Sequence, residues 1–224
     1  MTRPLFVINF KNYQEVSGKK SVMLAKAAEA VARRTNAKIV VAPPQASLAL
    51  VANQVRIPVF AQHLDNSDSG STTGFMVPEV AKSYGVSGSL VNHSEHRISQ
   101  AEIESLIKKL RVLKMVSVVC ARTPNEVRKL ASLKPDYIAI EPPELIGSGI
   151  AVSKAKPSVI TRSIRAVDRK NRNTRVICGA GIVNGADVSA AMKLGSKGIL
   201  VASGVVKARN WRRKIGELAN AMKV

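Results

Sequence analysis

The chain has 224 residues, of which 46% are hydrophobic and 22% are charged. This composition can bury a sizeable core, and it excludes an intrinsically disordered protein. A net charge of +20 indicates attraction to anionic partners without choosing among substrates, nucleic acid and acidic surfaces. No apolar stretch approaches the roughly 20 residues that cross a bilayer, so we expect no membrane segment. The opening "MTRPLFVINF" is typical of a first strand rather than a signal peptide, which makes the cytoplasm the expected location.

Eight apolar, β-branched runs recur along the chain and predict eight strands. Their hydrophobicity is continuous rather than alternating, which is typical of parallel strands buried on both faces. The predicted strands are "LFVINF" (5–10), "AKIVVAP" (37–43), "IPVFAQ" (57–62), "GSLVN" (88–92), "MVSVVCA" (115–121), "DYIAIEP" (136–142), "TRVICGA" (174–180) and "KGILVAS" (197–203).

Helical signals separate most of these runs. Apolar residues at helical spacing form one face at Leu24, Ala27, Ala28, Val31 and Ala32, and another at Ile103, Leu106, Ile107 and Leu110. Helix starts are predicted at Thr123-Pro124 with Glu126 as capping-box partner, at Ser99 with Glu102, and at Pro78 and Pro157. The repeated alternation predicts an α/β fold, a single (β/α)8 TIM barrel over residues 1–224, with a doubly wound sheet as the alternative.

In such a barrel, the residues just past the strands' carboxyl ends carry function. Those positions hold Lys11, His93, Glu141 and two turns of small residues, "GAG" (179–181) and "ASG" (202–204). Small residues let the backbone approach a ligand closely, and amides at a helix start favour an anion. The sequence therefore predicts a phosphate site beside an acid/base site.

Taken singly, these residues are ambiguous. A lone lysine is more often a solvated surface residue, and a lone histidine is more often structural. Glu141 is held at a rim before two prolines, and for it a functional and a structural role are equally compatible with the sequence. "GAGIVNG" resembles a dinucleotide-binding turn, but Gly185 stands one place too late and no acidic residue ends the next strand. The scattered basic residues favour solvated helix faces over a nucleic-acid patch. Nucleic acid is therefore an unlikely partner.

The cysteines and the other histidines are not expected to take part in function. Cys120 and Cys178 show no metal-ligand spacing and are expected to be structural thiols. His63 and His96 are expected to be structural or surface residues. No metal site is predicted.

In combination, the motifs closely resemble the triosephosphate isomerase family, in particular its short archaeal branch, from Leu5 to about Ala208. "NFK" is similar to the family's Asn-x-Lys, "NHSEHR" to its His-Ser-Glu segment, and "IEPPELIGSG" to its catalytic glutamate and mobile loop. "CGAGI" and "LVASGVVKA" resemble its two phosphate-binding turns. Without the resemblance, the residues alone would predict only a phosphate-binding barrel.

The resemblance implies an isomerase that interconverts dihydroxyacetone phosphate and D-glyceraldehyde 3-phosphate in glycolysis and gluconeogenesis, with no cofactor. By the same resemblance, Glu141 is the base and His93 the neutral electrophile. Lys11 then supplies positive charge, Asn9 orients the substrate and Glu95 fixes local geometry. The implied phosphate-binding residues, acting mainly through backbone amides, are Ile146, Gly147, Gly181, Ala202 and Ser203.

The chain also departs from the family pattern. The family usually has tyrosine at Cys178, serine at Gly181, and two glycines at Ala202 and Ser203. The distal hinge "IAVSKAKP" is longer than usual. The short length implies a homo-oligomer, dimer or tetramer, with residues 63–77 as one candidate interface.

Two other functions are compatible with the residues. A phosphate-binding barrel acting on a larger sugar phosphate would keep the two small-residue turns but would not need Asn-x-Lys. A binding protein for nucleic acid or an acidic surface would account for the basic charge.

Overall fold

The computed structural model describes residues 3–223 of the chain. The predicted (β/α)8 TIM barrel is confirmed, because eight parallel strands alternate with helices. Every strand lies inside its predicted run. The strands are β1 (Leu5–Asn9), β2 (Lys38–Ala42), β3 (Phe60–Ala61), β4 (Gly88–Val91), β5 (Val116–Ala121), β6 (Tyr137–Ile140), β7 (Arg175–Cys178) and β8 (Gly198–Val201).

The sheet runs in the order β2-β1-β8-β7-β6-β5-β4-β3. A parallel bridge between Val41 and Val59 joins the two end strands, and the Val41 N–H donates to the Pro58 carbonyl at 3.2 Å. The sheet therefore closes on itself, with all eight carboxyl ends at one rim.

The helices cover the outside of this barrel. They are α1 (Lys19–Thr35), α2 (Leu48–Ala52), α3 (Pro78–Ser83), α4 (Gln100–Val112), α5 (Pro124–Ala131), α6 (Val152–Ala155), α7 (Pro157–Asp168), α8 (Gly185–Lys193), α9 (Ser203–Val206) and α10 (Trp211–Asn220). Short 3₁₀ turns add Gln14–Val16, Gln45–Ser47 and Pro143–Leu145. In this described part of the chain, no helix is long and apolar enough to span a membrane.

The predicted helix starts are largely confirmed. Ser99 and Glu102 make both bonds of a capping box, and Pro78 and Pro157 open α3 and α7. The Thr123 side chain accepts the Glu126 N–H. The capping box also predicted a bond from the Thr123 N–H to the Glu126 carboxylate, and that prediction is wrong. The Glu126 carboxylate instead accepts the Arg122 N–H at 2.7 Å and pairs with the guanidinium of Arg97. The Glu126 side chain thus stays at the start of the helix, where it bonds one residue before the cap and pairs with a cation.

Two packed layers leave open space for a ligand at the rim. Inward-facing side chains such as Val40, Leu90 and Leu200 fill the barrel, and the buried faces of α1 and α4 pack outside it. Burying one such aliphatic side chain contributes roughly 1.5–3 kcal/mol, so these layers supply much of the stability. The filled interior leaves no channel through the barrel, so a ligand must bind outside this packed core.

Candidate active site

A small cavity, partly open to solvent, lies at the carboxyl ends of the strands. The sequence-predicted residues that line it are Lys11, His93, Glu141, Ile146, Gly147, Gly181, Ala202 and Ser203. Asn9 and Glu95 are not part of this lining, but both contact Lys11. The fold thus brings all the sequence-predicted site residues together, although they come from five strand ends.

The turn after β1 aims Lys11 at the cavity. Lys11 adopts a left-handed backbone (φ 49°), which costs a non-glycine residue about 1–2 kcal/mol. Its N–H donates to the Asn9 Oδ1 at 2.9 Å, and its carbonyl accepts from the Gln62 Nε2 at 3.0 Å. These two amides hold the strained turn. Sequence reasoning missed Gln62, whose only signal is its position as the last residue of the predicted third strand.

The side chain of Lys11 is paired across the rim. Its Nζ lies 2.6 Å from the Glu95 Oε1, and the other Glu95 oxygen lies 3.7 Å from the His93 Nδ1. Glu95 is 57% exposed and Lys11 is 16% exposed. The ammonium therefore keeps a counter-ion while its position on the cavity wall leaves it accessible to an anionic ligand.

The imidazole of His93 has a defined hydrogen-bonding pattern. The backbone N–H of Glu95 donates to the His93 Nδ1 at 3.2 Å, so this nitrogen carries a lone pair. A neutral ring must then carry its proton on Nε2. That nitrogen lies 3.8 Å from the Glu141 Oε1, at the cavity. The contact of Glu95 with Nδ1 therefore leaves Nε2, on the side of Glu141, as the nitrogen that donates.

The carboxylate of Glu141 is almost completely buried. Glu141 follows β6, and its N–H donates to the Ala121 carbonyl at 2.8 Å, which continues the sheet pairing by one residue. Burial raises the pKa of the Glu141 carboxyl, and the nearby His93 and Lys11 oppose this shift without cancelling it. The Glu141 Oε2 has no hydrogen-bond partner among the described residues. An oxygen left unsatisfied in this way is available to a reacting group.

Gly179 makes room for this carboxylate. A Cβ at Gly179 would lie 2.5 Å from the Glu141 Cγ, which is too close for any side chain. The sequence placed Gly179 in a small-residue turn but did not show that the catalytic candidate packs against it. Only the folded contact reveals that function.

The turns after β7 and β8 form one cradle. Gly181 and Gly204 both line the cavity, and a Cβ at Gly204 would lie 2.7 Å from the Ile182 carbonyl oxygen. Gly204 belongs to the predicted small-residue turn 202–204, whereas Ile182 and Val183 line the cavity without having been predicted as site residues. Small residues are required here because the two backbones touch. Closely packed backbone amides are suited to binding a phosphate.

A loop from Pro142 to Ala151 covers this cradle. Its near end is stiffened by Pro142 (φ −56°, ψ 122°), and Ile146, Gly147 and Gly149 face the cavity. At its far end, a Cβ at Gly181 would lie only 1.8 Å from the Ile150 carbonyl oxygen. We call residues 142–156 the lid. Its far end rests on the turn after β7 itself.

The other two histidines and the two cysteines do not line the cavity, although Cys120 lies against Glu141. His63 stacks on His96 with ring centroids 4.0 Å apart, and neither lines the cavity. Cys120 and Cys178 are free and buried, and burial raises the pKa of the Cys178 thiol to about 12. Within residues 3–223, no group of three His, Cys, Asp or Glu side chains could hold a metal ion.

The chain matches the family model described as triosephosphate isomerase over residues 4–221. It is 47% identical to the triosephosphate isomerase of Methanothermus fervidus over 99% of this chain and 100% of that protein. It is 50% identical to the enzyme of Cenarchaeum symbiosum, with 98% of both chains covered. It is also 48% identical to that of Methanocaldococcus jannaschii, over 96% of this chain and 98% of that protein. The predicted archaeal-type relationship is confirmed, and the chain belongs to the triosephosphate isomerase family.

Proposed function

We propose that the protein interconverts dihydroxyacetone phosphate and D-glyceraldehyde 3-phosphate, as a step of glycolysis and gluconeogenesis. The proposal depends above all on one observation. A buried carboxylate with a raised pKa lies 3.8 Å from the Nε2 of a histidine whose Nδ1 already accepts a backbone hydrogen bond. This pair provides a base and a neutral proton donor at the same cavity.

The reaction begins with proton removal. The Glu141 carboxylate takes a proton from the carbon next to the substrate carbonyl, and the electrons of that C–H bond form a carbon–carbon double bond. The carbonyl oxygen takes up the displaced pair and is stabilised by the His93 N–H and the Lys11 ammonium. The product of this step is an enediolate.

The second half of the reaction returns the proton, to the neighbouring carbon. His93 passes a proton from one enediolate oxygen to the other, and the protonated Glu141 returns its proton to the adjacent carbon. No electrons leave the substrate, so the proposed reaction needs neither a metal nor an organic cofactor. Glu95 orients both His93 and Lys11, and Asn9 keeps the Lys11 turn in place.

The cradle binds the phosphate in this proposal. Amides near Gly181, Ala202 and Ser203 approach it from below, and those near Ile146 and Gly147 approach from the lid. The lid also excludes water, which protects the enediolate and strengthens each electrostatic contact.

The direct test is an isomerase assay coupled to a dehydrogenase. Glu141→Gln should lower kcat by about a thousandfold, within the range that general-base catalysis contributes. Glu104→Gln is the matched control, because Glu104 is an exposed α4 residue paired with Lys108. A Glu141→Gln enzyme that keeps most of the parent rate, with an unchanged melting temperature, would disprove the assignment of the base.

We also propose that residues 1–224 form one domain that assembles as a homo-oligomer, dimer or tetramer, in the cytoplasm. The segment 63–77 supports an interface, because Asp65 and Met76 pair at its base and Phe75, next to that pair, is 57% exposed. Two free cysteines fit a reducing compartment. Light scattering on the purified protein measures the subunit number.

A further inference from the structure

The far end of the lid bears an ion pair to the body of the barrel. The Lys154 Nζ, on α6, lies 2.6 Å from the Asp187 Oδ1 in the first turn of α8. The Asp187 side chain is 3% exposed, whereas Lys154 is 55% exposed. A largely exposed cation therefore pairs with a buried carboxylate.

Asp187 is fixed by the turn that follows β7. Its Oδ2 accepts the N–H groups of Val183 and Asn184 at 3.0 and 3.2 Å, as part of the α8 capping box. Burial raises the pKa of the Asp187 carboxyl, but the bonds from Lys154 and the two amides outweigh this and leave the pKa lowered. One carboxylate thus joins the phosphate-site turn to the lid, with a different oxygen for each.

Two contacts with backbone carbonyls also join α6 to the turn after β7 and to α8. The Val152 N–H donates to the Ala180 carbonyl at 3.3 Å, and the Ser153 hydroxyl donates to the Asp187 carbonyl at 3.2 Å. These bonds are neutral and near the upper distance limit, so the charge-assisted Lys154 bond is the strongest of the three.

The other lysine of this segment forms a different connection. Lys156 pairs with Glu144, which lies at the near end of the lid. That pair joins two parts of the lid to each other and can travel with it. The pair between Lys154 and Asp187 joins the lid to the barrel, so it must break whenever the far end lifts.

We propose that Lys154 is a positioning residue whose bond to Asp187 holds the lid closed over the phosphate during turnover. The inference rests on the proposed isomerase activity and adds a specific closing contact to it. Cys178 is fully buried on β7, so its thiol cannot form a bond that holds the lid closed.

The consequence is measurable because an open lid exposes the enediolate. When the bond between the terminal carbon and the phosphate oxygen breaks, the electron pair leaves with inorganic phosphate and the remaining fragment is the enol of methylglyoxal. Phosphate released per isomerisation therefore reports lid closure, which a purely structural role would not change.

The experiment compares Lys154→Met, Lys154→Arg and Lys156→Met for kcat, KM and phosphate release. Lys154→Met should lower kcat/KM by about tenfold, the factor typical of one lost hydrogen bond to a charged group, and raise the phosphate fraction. Lys154→Arg should restore most of both values, and Lys156→Met, which removes the same charge from the same segment, should leave both within about twofold.

Coupling to Asp187 provides the second criterion. Asp187→Asn keeps an oxygen for the two amides but loses the ion pair. The double variant with Lys154→Met should therefore be no slower than the worse single variant. Additive effects, or a phosphate fraction unchanged in Lys154→Met, would overturn the proposal.

Hydrogen exchange separates this proposal from the proposed function. With inorganic phosphate present, amides of the lid should exchange faster in Lys154→Met than in the parent, whether or not the parent isomerises triose phosphates. Equal exchange rates would reject the closing contact even in an active enzyme. An inactive parent with faster exchange in Lys154→Met would reject only the proposed reaction.

Discussion

Replacing Gly181 by alanine tests whether the lid must rest on the turn after β7. The new Cβ would lie 1.8 Å from the Ile150 carbonyl oxygen and 2.4 Å from the Ile150 carbonyl carbon. Both are backbone atoms, so no side-chain rotation can relieve the overlap. Restoring an ordinary contact of about 3.5 Å requires the lid and the turn to separate by more than about 1 Å.

Two effects of different size follow. Gly181 has a φ of 70°, where an alanine costs about 1–2 kcal/mol, so the melting temperature should fall by about 2–8 °C. Displacing a substrate-positioning contact by about 1 Å costs about a hundredfold in rate. We therefore expect kcat/KM to fall by about a hundredfold while the protein remains folded at room temperature.

Gly85→Ala is the matched control. Gly85 has a φ of 85°, but nothing lies within 4 Å of the position its Cβ would occupy. This variant should lose similar stability and keep its steady-state kinetics. If Gly181→Ala turned over at nearly the parent rate, the closed lid would not rest on Gly181, and the contact argument would be wrong.

Two further predictions concern charge at the cavity. Lys11→Met should raise KM for triose phosphates by about tenfold or more in steady-state assays, because it removes the cation that pairs with Glu95 beside the cavity; unchanged kinetics would place the lysine outside the site. Because burial raises the pKa of Glu141, the acid limb of kcat/KM should lie above the ordinary carboxyl range, and its disappearance into that range would contradict the burial argument. Between the ordinary and the raised pKa of Glu141, the folded protein holds more protons than the unfolded chain. The free energy of unfolding of the parent, measured relative to that of Glu141→Gln, should therefore fall as pH rises through that window.

The strands could be predicted because continuous apolar runs reflect burial on both faces, as "DYIAIEP" illustrates. The errors lie at the ends. The third strand shrinks to Phe60–Ala61, since Pro58 lacks an N–H for sheet pairing, and the eighth stops at Val201 because Ser203 already begins α9. Such boundaries depend on local hydrogen bonds that hydrophobic pattern does not encode.

The candidate site could be predicted where a motif placed polar residues just past a strand. Lys11, His93 and Glu141 all belong to this class. Gln62 and Gly179 could not be found in this way, because the contacts that explain them are made with residues far away in the sequence. Pairing of Lys154 with Asp187 is likewise a property of the closed barrel rather than of either segment.

The far end of the lid and the turn after β7 form one packed unit. The backbone of Ile150 lies against that turn, and this contact leaves no space for any side chain at Gly181. A serine at this position would collide with the lid, as an alanine would. The segment after Ile150 forms α6, which carries Lys154 to the buried carboxylate of Asp187. A side chain added at Gly181 and the loss of Lys154 should therefore disturb the same end of the lid.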